Sequence, residues 1–227
     1  MRKNIVFIVG PPRTGTTYLL LLLDEHKKLN NRFGTPYESS LFNRGKISSA
    51  KPRLLQFREK EHILYKDPNS AKIAKDILSN FGNSLMIYLV RDPFDMITSY
   101  FHTPKGQGLS VINDMRNVMS LYNDMAVGIL KVANDERVMF IKSEDLFNNT
   151  DKVLKNIYPR IPLKVDNLFI KKSVDKHKFG KNIIPEKREM VYRVGHYSAE
   201  NFLLNEQKKQ IKESCWSYYQ ELLSKCI

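Results

Sequence analysis

Cysteine is scarce in this chain. There are two in 227 residues, Cys215 and Cys226, both near the C-terminus. Neither lies in a metal-ligand pattern with histidine, so free thiols in a reducing compartment are expected, with Cys215 a small packing residue on a helix. Acidic residues are also under-represented, 24 against 37 Lys plus Arg, for a formal net charge of +13. That balance favours an anionic partner such as a nucleotide, a nucleic acid or a sulfated or acidic acceptor. The basic residues are spread along the chain and are not interleaved with aromatics, which argues against a specific nucleic-acid platform. Long apolar runs are missing as well. Leu19 to Leu23 is far short of a membrane span. Arg2-Lys3 and the apolar residues after them imitate a signal peptide, but Pro11-Pro12 cut that region short. No repeat or low-complexity tract stands out. A soluble, cytoplasmic protein with no membrane span is expected, and 42% hydrophobic residues suffice for one sizeable α/β domain over residues 1–227.

The chain is organised around residues 4–23, NIVFIVGPPRTGTTYLLLLL. Ile5 to Val9 is an unbroken branched apolar run, as in a strand buried on both faces. Gly10-Pro11-Pro12 stops it, and Thr14, Gly15, Thr16 and Thr17 open a helix-favouring segment that Thr14 or Thr16 can cap. A strand that feeds a glycine turn into a helix start is an anion site, because free N–H groups converge there and the helix dipole adds positive charge. The spacing Gly10-x-x-x-x-Gly15 matches the first part of a Walker A loop, but Thr16 stands where an NTPase has lysine. Arg13 is the only cation in the loop. Phosphate binding fits this turn better than triphosphate chemistry does.

Further strands are expected at 62–65, 85–90 and 137–141, and helices at 16–26, 69–81, 93–101, 109–133, 150–158 and 198–224. Lys27-Lys28 suit the negative end of the first helix. Residues 29–45, 103–108 and the lysine-rich 166–193 read as loops, and 46–61 as a mobile loop or irregular helix over the site. Met115, Val118, Met119, Tyr122 and Met125 form a core stripe. Alternating strands and helices imply a three-layer, P-loop-like α/β architecture with a central parallel sheet flanked by helices. The glycine loop, Lys66 and Arg91 each follow a strand, where ligands of such folds sit.

Pro11-Pro12-Arg13-Thr14-Gly15-Thr16-Thr17-Tyr18-Leu19 resembles the 5′-phosphosulfate loop of sulfotransferases that use 3′-phosphoadenosine 5′-phosphosulfate (PAPS). Arg91-Asp92-Pro93 followed by Ser99 resembles the 3′-phosphate motif of the same family. There a permanently charged planar donor and a hydroxyl two helical turns on meet one phosphate. Tyr65-Lys66-Asp67-Pro68 is similar to the Lys-x-Pro element of tyrosylprotein and carbohydrate sulfotransferases. Phe140 to Leu146 is similar to the family's Tyr-Glu-Asp-Leu stretch, to which no chemistry is assigned here. The likeness covers roughly residues 5–154, with a weaker match at Val194-Gly195-His196-Tyr197.

The resemblance implies sulfonate transfer from PAPS to an acceptor hydroxyl or amine, leaving adenosine 3′,5′-bisphosphate, with no metal. Arg13, Thr14, Gly15, Thr16 and Thr17 would hold the 5′-phosphosulfate. Arg91, Ser99 and either Arg188 or Arg193, of which Arg193 is preferred, would hold the 3′-phosphate. Lys66 and Arg13 would stabilise the leaving phosphate. The histidine base of the cytosolic enzymes is missing from Lys66-Asp67-Pro68. Glu38 in Pro-Tyr-Glu-Ser-Ser-Leu-Phe is therefore the best match for the base, with His102 and Asp67 in reserve. The acceptor class, whether carbohydrate, tyrosine, lipid or small metabolite, is open, and residues 46–61 and 103–110 are expected to shape its pocket. Two other readings come from the residues themselves. One is a P-loop kinase or NTPase in which Asp92 holds magnesium. The other is a non-catalytic nucleotide- or polyanion-binding protein.

Overall fold

The protein is described by a computed structural model that covers residues 4–30, 62–101, 115–161, 163–177 and 203–227. Five strands form one parallel sheet: β1 (Asn4–Val9), β2 (Leu29–Asn30), β3 (His62–Lys66), β4 (Ser84–Val90) and β5 (Val138–Lys142), in the order β2-β3-β1-β4-β5. β1 lies in the middle, with Ile8 opposite Lys66 on one side and Ile87 on the other. Every residue of β3 and β4 is buried, as expected of strands covered on both faces.

Alternation along the strands builds the two cores. Ile5, Phe7, Val9, Tyr65, Met86 and Tyr88 face one layer, and Val6, Ile8, Leu64, Ile87 and Leu89 face the other. The first layer holds a 3₁₀ turn (Pro68–Ile73), α2 (Ala74–Asn80), α4 (Met115–Leu130) and the end of α8 (Asn205–Ser224). The second holds α1 (Thr16–Asp24), α5 (Ser143–Asn148), α6 (Thr150–Ile157) and α7 (Asn167–His177). A third cluster joins α3 (Pro93–Phe101) to α4 and α8 through Met96, Ile97, Val118, Tyr122, Ile211 and Cys215. The expected stripe on α4 is observed. Gly128 lets that helix approach the 3₁₀ turn, since a Cβ there would lie 2.4 Å from the Ala71 carbonyl oxygen.

Several expectations are corrected. The segment 166–193 is not a loop throughout, because Asn167–His177 is helical. Asp166 Oδ1 accepts from the Phe169 N–H at 2.6 Å, and Ile170, Ser173 and His177 turn inward while the lysines face outward. Leu29–Asn30 adds a two-residue strand where a loop was expected. The helix expected over 69–81 begins as a 3₁₀ turn, with Asp67 capping it through the Asn69 N–H at 3.0 Å and the Ser70 hydroxyl at 3.1 Å. α1 ends at Asp24, so Lys27 and Lys28 lie beyond its last turn. Its N-cap is Gly15, with no side-chain cap from Thr14 or Thr16. Within 198–224 the described helix starts at Asn205. Among the described residues no helix is long and apolar enough to cross a membrane. Both cysteines are free, and burial pushes the Cys215 thiol up to about 11 and the Cys226 thiol up to about 12, so both stay protonated at neutral pH.

Candidate active site

The ends of β3, β1 and β4 lie side by side, so Lys66, the glycine loop and Arg91 leave the sheet at one edge. The loop combines three unusual backbone positions, with φ of +137° at Gly10, +69° at Arg13 and +93° at Gly15. Gly10 has no room for a side chain, since a Cβ would meet the Leu89 carbonyl oxygen at 2.8 Å. Gly15 is closed off by the Phe147 ring, 2.9 Å from where a Cβ would lie. Phe147 in turn stacks on Tyr18 at 5.3 Å, so α5 braces the start of α1.

Side chains take up the carbonyls of this loop. Thr14 Oγ1 donates to the Pro11 oxygen at 2.8 Å. Arg91 Nη1 donates to the Arg13 oxygen at 2.5 Å, and Ser143 Oγ donates to the Thr14 oxygen at 2.7 Å. Among the described residues, the N–H groups of Thr14, Gly15, Thr16 and Thr17 donate to no protein acceptor. Unmatched donors of this kind at a helix start suit an anion.

Arg13 Nε donates to Ser99 Oγ at 3.3 Å, across 86 residues of sequence. Arg13, Ser99 and Arg91 are therefore brought together. Burial lowers the Arg91 pKa from its ordinary value, while the Asp95, Glu144 and Asp92 carboxylates pull it back, and the guanidinium stays cationic. Lys66 is 2% exposed at the end of β3. Asp92 accepts from the N–H groups of Phe94 at 2.8 Å and Asp95 at 3.4 Å, the position of a helix cap. Burial pushes its carboxyl up, and the Asp95 charge adds to this against those two bonds. Asp67, the reserve base, caps the 3₁₀ turn. Glu38, His102, Arg188, Arg193 and the stretch 194–197 lie outside the described residues, as do 46–61 and 103–110. Among the described residues, no group of three His, Cys, Asp or Glu side chains is placed to hold a metal ion. Ser143, to which its motif assigns no chemistry, lies against the anion loop through its bond to the Thr14 oxygen. Its only sequence signal is a hydroxyl directly after a core strand.

Residues 3–181 match the sulfotransferase domain. The chain belongs to the sulfotransferase family. It is thus an enzyme of sulfonate transfer, which sets aside both the kinase reading and the non-catalytic one. No curated protein sequence matches this sulfotransferase. Solved structures share its fold at low identity. Mouse sulfotransferase SULT7A1, complexed with PAP, is 16% identical over 100% of this chain and 91% of its own, with a TM-score of 0.72. Sulfotransferase STF9 from Mycobacterium avium is 14% identical over 97% of this chain and 76% of its own, with a TM-score of 0.67. Retinol dehydratase, in complex with androsterone and inactive cofactor PAP, is 12% identical over 98% of this chain and 81% of its own, with a TM-score of 0.57.

Proposed function

We propose that this sulfotransferase takes its sulfonate from PAPS and passes it to an acceptor hydroxyl or amine. The supporting observation is the row of unmatched N–H groups from Thr14 to Thr17 beside Arg13, Ser99, Arg91 and Lys66. A donor with phosphate at both ends of its ribose needs two cationic ends in one crevice, and this edge of the sheet supplies them. Two structural neighbours solved with PAP point the same way. When bound, PAPS supplies an activated sulfonate.

The residues divide the remaining work. Arg13 and the N–H groups of Thr14, Gly15, Thr16 and Thr17 bind the 5′ end. Arg91 and Ser99 bind the 3′-phosphate, and Arg193 joins them. Lys66, held at the end of a buried strand, and Arg13 supply the cations that stabilise the leaving phosphate. One well-placed donor of this type contributes about 3–4 kcal/mol to a transition state. Glu38 takes the acceptor's proton.

Calorimetry tests the donor without knowledge of the acceptor. Adenosine 3′,5′-bisphosphate is expected to bind at least tenfold more tightly than ATP, with no requirement for magnesium. Equal affinity, or no binding of the bisphosphate, overturns the reading.

A further inference from the structure

The register of the sheet puts Ser143 beside Arg91. Val90 of β4 pairs with Lys142 of β5, so the next two residues leave the sheet together. Each donates to a carbonyl of the anion loop, and the two carbonyls are consecutive: Arg91 to that of Arg13 and Ser143 to that of Thr14. In a planar trans peptide the C=O and the following N–H point in opposite directions. A hydrogen bond that pulls the Arg13 oxygen toward Arg91 therefore turns the Thr14 N–H the other way. The bond from Ser143 does the same for the Gly15 N–H. The Thr14 and Gly15 N–H groups are among those with no protein acceptor among the described residues. The backbone at Arg13 is left-handed, a conformation that a non-glycine residue keeps only where its surroundings hold it.

We infer that Ser143 is a positioning residue for the donor's 5′ phosphate, locking the Thr14–Gly15 peptide so that its N–H faces the anion. The inference rests on the reading of this loop as the 5′-phosphate site. Ser143 itself is 1% exposed, and its hydroxyl proton is taken up by the Thr14 oxygen. Arg91 turns the neighbouring peptide, but it also stands among the proposed 3′-phosphate contacts, so Ser143 is the residue that isolates the effect.

The test compares three ligands on the full chain by calorimetry: adenosine 3′,5′-bisphosphate, adenosine 3′-monophosphate, which lacks the 5′ phosphate, and inorganic pyrophosphate. Ser143→Ala is expected to weaken the bisphosphate and pyrophosphate by about tenfold, as for one buried hydrogen bond, and to leave the 3′-monophosphate within twofold. Ser143→Thr, which keeps the hydroxyl, is expected to recover most of the loss. Circular dichroism checks folding, and Ser143→Cys, isosteric but a weak donor, replaces the alanine variant if that does not fold. Equal weakening of all ligands, or no weakening, overturns the inference. If the wild type binds pyrophosphate but neither nucleotide, the PAPS reading fails and the Ser143 variants are judged on pyrophosphate alone. If the wild type binds none of the three, both fail.

Discussion

Arg13 adopts a φ of +69°, which costs an L-residue about 1 kcal/mol or more outside glycine. Its surroundings over-determine that geometry: its carbonyl is held by Arg91, its guanidinium meets Ser99, and glycines with positive φ lie on either side in the turn. Strain held in this way keeps donors aimed before a ligand arrives, which is where electrostatic catalysis gains most. The base is a separate matter. Glu38→Gln is expected to retain affinity for adenosine 3′,5′-bisphosphate within about twofold and to lose turnover by roughly 10²–10⁴. Single-turnover rates beside calorimetry check this, and retained turnover would reassign the base. The groups proposed to hold the anion were legible in the sequence because motif and chemistry coincide: Arg13, Gly15 and Thr16 in the turn, Arg91 and Ser99 two helical turns apart. Ser143 was not legible, because its partner is a carbonyl 129 residues away and the contact depends on the pairing of β4 with β5.

Among the elements, α7 shows how composition misleads. Lysines at 171, 172 and 176 suggest a solvated loop, yet they occupy the outer face of a helix whose N-terminus is capped by Asp166 and whose inner face packs through Ile170. A polar clamp fixes this helix to the end of α1. Lys176 Nζ and His177 Nε2 reach the two oxygens of Glu25 at 2.7 and 2.8 Å, and Ser173 Oγ donates to the Leu22 oxygen at 3.0 Å. Burial alone would raise the Glu25 carboxyl, but the hydrogen bonds and charges of Lys176 and His177 outweigh it and hold it below its ordinary value of 4.5. A carboxylate depressed in the folded state stabilises the fold above its unfolded pKa and loses that contribution as pH falls through the folded value. Glu25→Gln is thus expected to cost about 0.5–1 kcal/mol at pH 7, since Lys176 is half exposed, and less at about pH 3, below the unfolded value. Urea denaturation at both pH values measures it. β2 was illegible for a simpler reason, since two residues carry no periodicity and strand order decides their pairing.

Across the whole molecule, the strand order places β1 between β3 and β4: the chain runs from β1 out to β2 and back to β3 on one side, then crosses β1 to β4 on the other, and the carboxyl edge at such a reversal is where folds of this kind open a crevice. That much follows from buried strands alternating with helices, and the parallel sheet was therefore readable from the chain alone. The net charge of +13 acts on this crevice in two ways that salt separates. Exposed lysines such as Lys171, Lys172, Lys209 and Lys212 raise the local concentration of an anion, and their field is largely screened beyond about 10 Å at 0.1 M salt. Lys66, 2% exposed at the end of β3, is screened far less. Replacing the four surface lysines with glutamine is thus expected to weaken adenosine 3′,5′-bisphosphate several-fold at about 20 mM salt, with the difference vanishing near 0.5 M. Lys66→Gln is expected to weaken it by a similar factor at both concentrations. A salt titration of the three proteins decides between the two contributions. If the surface variant kept its deficit at high salt, the remote lysines would be acting by contact and the crevice would extend to them.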